Sequence, residues 1–494
     1  MELIRNKPEP GEAAAGIQQH DAVAVNDPAR RELYEKRQQI YPKLVHGKFR
    51  LAKWVFMILA LGAYYLTPFI RWDRGEGAPD QAVLVDFANA RFYFFFIELW
   101  PQEVYYITGL LILASLFLFL VTALFGRVWC GYACPQTVWT DLFIAVERLF
   151  EGDRNKRMKL DKQPWSFDKA WRKGGKHTVW LIIAAATGGA WILYFHDAFA
   201  VVNNFVTGQA ALTSYVFFAL LTFTTYSLAG TLREQVCTYM CPWPRIQGAL
   251  TDKDALNVTY RTDRGEPRGR HKKGESWDGR GDCIDCKACV AACPMGIDIR
   301  EGAQLECIGC ALCIDACDDI MGKIGRPKGL IAYDTDLNIE RREAGEKPRV
   351  DLIRPRTVLY TVLIVGISGL MLFGLANRTE LSLDSYRDRA PNYVRLSDGS
   401  VRNGYTLTVV NKANEPRTLS LALDGDPAFV MRVLGAEASA LAVGPDETRD
   451  YRIFLTLPRE AVDAASEPIT FRVSDGITGD VAETPSVFQT GEMR

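Results

Sequence analysis

Cys283-Ile-Asp-Cys286-Lys-Ala-Cys289-Val-Ala-Ala-Cys293-Pro294 and Cys307-Ile-Gly-Cys310-Ala-Leu-Cys313-Ile-Asp-Ala-Cys317 share one spacing, C-x2-C-x2-C-x3-C. Three close thiols wrap three irons of a [4Fe–4S] cluster, and the fourth reaches across to the neighbouring cluster. This spacing assigns Cys283, Cys286, Cys289 and Cys317 to one cluster. It assigns Cys307, Cys310, Cys313 and Cys293 to the other. The second run ends in Asp318 where the first has Pro294, which removes no ligand. A pair of zinc sites is the competing reading, but zinc usually takes paired C-x2-C units. Disulfides are disfavoured in a reducing cytoplasm. Gly296, Gly302 and Gly309 add permissive backbone beside the cysteines. Two clusters imply one-electron transfer.

Outside this module, five segments carry no charged residue: Trp54–Ile70, Tyr106–Phe125, Thr178–Phe195, Leu212–Ala229 and Thr357–Ala376. Each falls within the ~17–25 residues needed to cross a ~30 Å hydrocarbon core as a helix. Phe92–Trp100 is apolar but short and contains Glu98, so it reads as interfacial or re-entrant. The first span follows a long charged tail, unlike a cleavable signal peptide. The tail 1–53 holds 10 Lys/Arg and loop 126–177 holds 11, against 3 in loop 71–105 and none in loop 196–211. Lys and Arg are retained on the cytoplasmic side. The N-terminus and segment 230–356 are therefore expected in the cytoplasm, and the last span carries the C-terminal region outside. The 494 residues carry 58 Lys+Arg against 59 Asp+Glu, a net charge of −1. Summed by side, the cytoplasmic segments hold +8 and the exported ones −9, so the near-neutrality is a cancellation across a membrane. A nucleic-acid binder would be strongly basic. The 24% charged fraction also excludes a mainly disordered chain.

The other four cysteines form two matching pairs. Arg127-Val-Trp-Cys130-Gly-Tyr-Ala-Cys134-Pro135 follows the second span, and Arg233-Glu-Gln-Val-Cys237-Thr-Tyr-Met-Cys241-Pro242 follows the fourth. The internal repeat is helix, outer loop, helix, C-x3-C-P. If each helix continues past the membrane, the i, i+4 spacing puts both sulfurs on one face. The proline then marks a helix end. Two such ends brought together offer four thiols, and soft thiolates favour Cu(I), zinc or an iron–sulfur centre. A neighbouring Arg would lower a thiol pKa. Buried, inert packing cysteines are the alternative. His177 and His196 flank the third span ~28 Å apart, too far to share a haem. His46 and His177 both lie at cytoplasmic helix ends. The sequence assigns neither a haem nor a flavin. The basic stretch Arg261–Arg280 reads as a solvated linker near anionic lipid heads rather than a nucleic-acid site.

After Ala376 the composition changes to short alternating runs: Tyr405–Val410, Thr418–Leu423, Phe429–Leu434, Tyr451–Leu457 and Ile469–Val473. Turn signals separate them, as in an immunoglobulin-like sandwich. The expected fold is a multi-domain membrane protein with five transmembrane helices, a cytoplasmic two-cluster ferredoxin-like domain and a C-terminal immunoglobulin-like β-sandwich. Its parts are a cytoplasmic tail (1–53), a four-helix core with both C-x3-C-P motifs (54–241), the 2x[4Fe-4S] domain (242–350), the fifth helix (357–376) and a periplasmic domain (377–494).

This order of parts resembles the FixG/RdxA/CcoG family, accessory proteins for assembly of cbb3-type cytochrome c oxidase. The resemblance covers nearly the whole chain. It rests on the paired C-x3-C-P motifs, on Cys-Ile-Asp-Ala-Cys-Asp-Asp-Ile-Met at 313–321, on Gly-Arg-Pro-Lys-Gly-Leu-Ile at 325–331 and on the exported β domain. It implies a bacterial inner-membrane protein that reduces Cu(II) to Cu(I) on the cytoplasmic side. The Cu(I) would pass to a copper chaperone or copper-exporting ATPase, and oxidase subunits or assembly factors would be further partners. Chemistry and resemblance together imply that electrons from an unidentified donor enter the two clusters. They would then reach copper at Cys130, Cys134, Cys237 and Cys241, the catalytic and copper-binding residues. Two other readings stand beside this one. A quinol-oxidising membrane ferredoxin would relay electrons to a periplasmic reductase. A non-enzymatic redox-sensing scaffold would hold the oxidase through its β domain. The fifth span and the exported domain favour the assembly factor.

Overall fold

The computed structural model describes residues 17, 19–26, 38–75, 78–272, 274–413, 415–462 and 464–491; the rest of the expected N-terminal tail lies outside the described residues. Charge-free runs in an apolar surrounding must satisfy their own backbone groups, which favours helices. Among the described residues, four helices are long and apolar enough to cross a membrane: Lys48–Phe69, Pro101–Phe125, Leu212–Leu232 and Pro355–Ala376. They contain four of the five expected spans.

The expected third span, Thr178–Phe195, is corrected. Its helix starts at Phe167 and stops at Ile192. The charge-free part is therefore Thr178–Ile192, ~22 Å long at ~1.5 Å per residue, so crossing a ~30 Å core would draw on the charged turns before it as well. Its far end meets the far end of helix Lys48–Leu66. The Tyr64 hydroxyl donates to the Thr187 carbonyl (2.8 Å), and the Tyr194 hydroxyl donates to the Tyr64 carbonyl (2.8 Å). Gly188 lets this helix approach Leu212–Thr225, since a Cβ there would lie 2.8 Å from the Phe218 carbonyl oxygen. Such small-residue contacts are a common way of packing helices in membranes.

Phe92–Trp100 is not a re-entrant helix. Val83–Asp86, Arg91–Phe94 and Ile97–Leu99 form an antiparallel three-stranded sheet. Glu98, the charge inside the apolar run, is 3.5 Å from Arg91 on the adjacent strand.

At its near end, helix Lys48–Leu66 is capped by the ferredoxin-like region. The Asp315 carboxylate accepts from the backbone N–H groups of Phe49 (3.3 Å) and Arg50 (2.7 Å), a favourable place for an anion. Arg50 in turn pairs with buried Asp141 at 2.9 Å. A second buried network surrounds Glu147, which pairs with Arg157 (2.7 Å), Arg233 (3.0 Å) and Lys176 (3.5 Å). Lys176 continues it to Glu151 at 2.8 Å.

The ferredoxin-like region packs helices Ala288–Ala292 and Leu312–Lys323 beside an antiparallel pair of strands, Asn257–Tyr260 and Ile331–Asp334. Ala291, Ala292, Ile284, Ile308, Met321 and Leu330 are among its buried residues. The described part of the tail is a strap on this region rather than a free segment. His20 N donates to Cys286 O (3.1 Å), Val25 N to Gly296 O (2.7 Å) and Lys43 N to Ala291 O (2.8 Å). The basic stretch 261–280 is largely exposed, as expected of a solvated segment, but part of it folds back on the ferredoxin-like region. Arg261 pairs with Asp334 at 2.8 Å, Arg264 pairs with Asp282, and His271 stacks on Trp277.

Two antiparallel sheets form the C-terminal region. One runs Val430–Val433, Glu447–Leu457, Val401–Asn411, Leu381–Arg387; the other runs Leu441–Val443, Arg417–Asp424, Ser466–Asp475, Val481–Gln489. Tyr405, Leu407, Ile453, Phe471 and Phe488 fill the space between them. By contacts the chain divides into Met1–Ile70 with Gln81–Gly369, and Arg71–Asp80 with Leu370–Arg494.

Glu147 offers a test of the first unit. Burial alone would raise its carboxyl, but Arg233, Arg157 and Lys176 together hold it at about 2. Replacing Glu147 by Gln leaves buried cations unpaired, a loss of about 3–5 kcal/mol. The expected result is a clearly lower thermal-unfolding midpoint in detergent. In the unaltered chain this contribution is complete above the ordinary carboxylate value of ~4.3. It fades as pH falls from there toward about 2, because only the unfolded chain then takes up the proton.

Candidate functional site

The two cysteine runs fold as a backbone repeat. In the first, Asp285 (φ +52°) and Lys287 (φ +56°) are left-handed on either side of Cys286; in the second, Gly309 (φ +65°) and Ala311 (φ +58°) do the same around Cys310. Lys287 and Ala311 are also the N-caps of helices Ala288–Ala292 and Leu312–Lys323. This winding turns backbone N–H groups inward, as in anion-binding nests. The Cys286 thiol receives the Ala288 N–H, Cys310 receives the Leu312 N–H, and Gly309 N donates to the Cys307 sulfur at 3.4 Å. Gly296 and Gly302 are also left-handed, at φ +65° and +92°.

Thiol neighbours fall into two sets. Cys317 faces Cys289, Cys286 and Cys283. Cys313 faces Cys310, Cys307 and Cys293, with Cys289 further off. Burial pushes the Cys293 thiol up to about 12 and raises Cys286, Cys289, Cys307, Cys310, Cys313 and Cys317. Among the described residues, no three His, Cys, Asp or Glu side chains converge closely enough to hold one metal ion. Two sets of four buried thiols fit a larger group that bonds each sulfur through a different iron.

The membrane-edge pairs depart from the expected continuous helices. Gly126 (φ +55°) ends the second long helix, and Cys130 lies on a separate turn, Val128–Tyr132. Arg233 (φ +41°) breaks the chain after a π-helical stretch, Tyr226–Leu232, and Cys237 lies in a second one, Val236–Met240. Such π turns are frequent at functional sites. Cys134 and Cys241 have extended backbone, and Pro135 opens the helix Pro135–Glu151. The helices are not continuous, yet the thiols of each pair remain neighbours, and Cys130, Cys134, Cys237 and Cys241 line one cavity with Trp129, Trp243, Gln247, Glu306 and Cys307. The Cys130 thiol donates to Gln247 Oε1 at 3.4 Å.

The two arginines do not activate their thiols. Burial and neighbouring thiols push Cys130 up to about 12 despite Arg127, and burial does the same to Cys237. Arg233 is turned toward Glu147 (3.0 Å) and its own Gly230 carbonyl (2.8 Å). Arg127 donates to the carbonyls of Cys307 (3.0 Å), Leu305 and Pro244 (3.0 Å). It thereby joins both halves of the repeat to one cysteine loop of the ferredoxin-like region. Tyr132 Oη donates to Cys310 O at 3.3 Å, and Tyr333 Oη donates to Gly309 O at 2.7 Å. Gly131 is pressed against that loop: a Cβ there would lie 2.9 Å from Cys310 Cα and from Ile308 O.

Glu306, Gln247 and Tyr132 have no motif that marks them in the sequence. Glu306 is nonetheless adjacent to Cys307, and Tyr132 lies between the thiols of its pair. His177 holds the Tyr226 hydroxyl at 2.8 Å and lies outside the thiol cavity.

A 4Fe-4S dicluster family model matches residues 232–336, and a 4Fe-4S binding domain model matches residues 107–156. The model described as the IG-like fold at the C-terminal of FixG matches residues 371–491. The nitrogen fixation protein FixG of Rhizobium meliloti is 49% identical over 489 residues, covering 92% of this chain and 93% of that protein. RdxB of Cereibacter sphaeroides is 47% identical, covering 94% and 98%, and RdxA of the same organism is 49% identical, covering 90% and 93%. A solved FixG-related protein from Vibrio parahaemolyticus covers 23% of this chain and 98% of its own, at 23% identity and a TM-score of 0.21. At this identity over nine-tenths of its length, and with 4Fe-4S binding domains and an immunoglobulin-like C-terminal region, the chain belongs to the FixG/RdxA/RdxB family.

Proposed function

We propose that this chain is a membrane-bound electron-transfer protein that reduces Cu(II) to Cu(I) for assembly of a cbb3-type cytochrome c oxidase. One observation carries the reading: Cys130, Cys134, Cys237 and Cys241 line a single cavity that also contains Cys307 of the ferredoxin-like region. In this reading Cys283, Cys286, Cys289 and Cys317 hold one [4Fe–4S] cluster, and Cys307, Cys310, Cys313 and Cys293 hold the other. Each cluster passes single electrons. One electron converts one Cu(II) into one Cu(I), and soft thiolates favour the cuprous product.

One feature supports copper as a substrate rather than a resident ion. Burial keeps the Cys130 and Cys237 thiols protonated at neutral pH. Copper must therefore displace their protons, which moderates its affinity. The proposed orientation puts the cysteines in the cytoplasm of a bacterial inner membrane and the immunoglobulin-like region in the periplasm. It needs the helix Phe167–Ile192 to cross as well, completing five spans. Cu(I) would leave to a copper chaperone or exporting ATPase.

Replacing Cys237 and Cys241 together by Ala should abolish Cu(II) reduction while iron and acid-labile sulfide stay near eight per chain each, the content of two four-iron clusters. Cupric reduction at the original rate in that variant would sink the copper assignment. The thiols themselves give a second test. In the metal-free chain, alkylation of Cys130 and Cys237 should be slow near neutrality and rise about tenfold per pH unit from about pH 9 to about pH 11. A plateau near pH 9 would contradict the burial that raises them.

A further inference from the structure

The two thiol sets differ in the charges that face them. The first set faces Arg300 together with three carboxylates: Arg300 and Asp285 beside Cys286, Asp298 beside Cys289, and Asp318 beside Cys317. Arg300 is itself neutralised, with Asp285 and Asp298 each at 2.6 Å. The second set faces two cations and two carboxylates: Arg127 and Glu306 beside Cys307, and Lys53 and Asp141 beside Cys310. Arg127 spends its hydrogen bonds on carbonyls, including that of Cys307 itself. The charges named beside the first set are thus mostly carboxylates, whereas those beside the second are matched by cations.

Adding an electron to a cluster adds negative charge, so nearby carboxylates oppose it and nearby cations favour it. The second set is also the one that reaches the thiol cavity, through Cys307. The first set lies under the strap, where His20 N meets Cys286 O.

We propose that the two clusters form a directed pair, in which the set Cys293, Cys307, Cys310 and Cys313 has the higher potential and is the exit toward the four-thiol cavity, with Arg127 as the residue that positions and tunes it. The inference rests on the ligand assignment of the proposed function. One electron leaves the group held by Cys283, Cys286, Cys289 and Cys317, which is oxidised. It arrives at the group held by the second set, which is reduced. No bond forms or breaks, and no proton moves. Arg127 is a positioning residue: it holds the carbonyl of the ligand Cys307 and lines the cavity.

The test is an anaerobic redox titration of the full chain in detergent, reduced with dithionite and followed by electron paramagnetic resonance. Two one-electron waves are expected. Arg127→Gln should move the higher wave to lower potential and leave the lower wave in place, and Arg127→Lys should restore most of the shift. Asp285→Asn, which suits a left-handed backbone, should move the lower wave up and narrow the gap. Iron and sulfide analysis of each variant reports whether both clusters are present. If both are present and Arg127→Gln moves the lower wave or neither, the directed pair is wrong. An upward shift of the higher wave in Asp285→Asn overturns it independently, even where Arg127→Gln fails to fold. A wild-type chain without two clusters would overturn the ligand assignment, and this inference with it.

Discussion

Gly131 has room for a hydrogen and nothing more. Its neighbours, Cys310 Cα and Ile308 O, stand where a Cβ would come within 2.9 Å. From the other side, a Cβ on Gly309 would lie 3.0 Å from the backbone of Arg127. Two backbones are therefore in contact, one from the turn after the second long helix and one from a cysteine loop of the ferredoxin-like region. Everything at the site depends on that approach. It brings Cys307 to the wall of a cavity made by four thiols far from it in sequence. It also lets Arg127 and Tyr132 reach the carbonyls of the same loop. A side chain in the gap would push the two backbones apart, and electron transfer is sensitive to such distances.

Buried charge secures this arrangement from the opposite direction. Asp315, on a ferredoxin helix, holds the first N–H groups of the helix Lys48–Leu66. Arg50, one residue into that contact, is held by Asp141 on the helix that Pro135 opens. The chain from Asp315 to Asp141 therefore ties the ferredoxin region, the first long helix and the C-x3-C-P helix together. A buried pair of this kind adds little over an apolar contact, but breaking one partner is costly. Its value here is geometric, because it fixes which face of each helix meets the cysteine loop.

Much of this was legible in the sequence, and the parts that were not share a cause. The cysteine spacing gave the ferredoxin-like region because its ligands are local. The five alternating runs read in the C-terminal region all became strands. Leu381–Arg387, Leu441–Val443 and Val481–Gln489 lie outside those runs. The last contains Pro485, which an edge strand tolerates and a central strand does not. The third span misled because hydropathy counts residues and does not see where a helix ends; Leu193–Phe195 are apolar but turn away. Left-handed Asp285, Lys287 and Ala311 carry no glycine to betray them. The fates of Arg127 and Arg233 were invisible because both depend on partners remote in sequence.

Those two arginines show what the repeat has become. They hold equivalent places before matching cysteine pairs, and a symmetric ancestor would use them alike. In this chain Arg233 serves the buried network at Glu147, which steadies the helices. Arg127 serves the carbonyls of Leu305, Cys307 and Pro244, which steadies the contact with the cysteine loop. The difference has a simple origin. Cysteines of both arms pack against the ferredoxin-like core, but its loop 305–307 is held by the arginine of the first arm. Docking on a two-fold repeat breaks its symmetry. One arginine is left to face the loop, and the other is free to be absorbed into the core. Two pairs that look interchangeable in sequence therefore stand in different electrostatic surroundings, with Arg127 beside Cys130 and Glu234 beside Cys237.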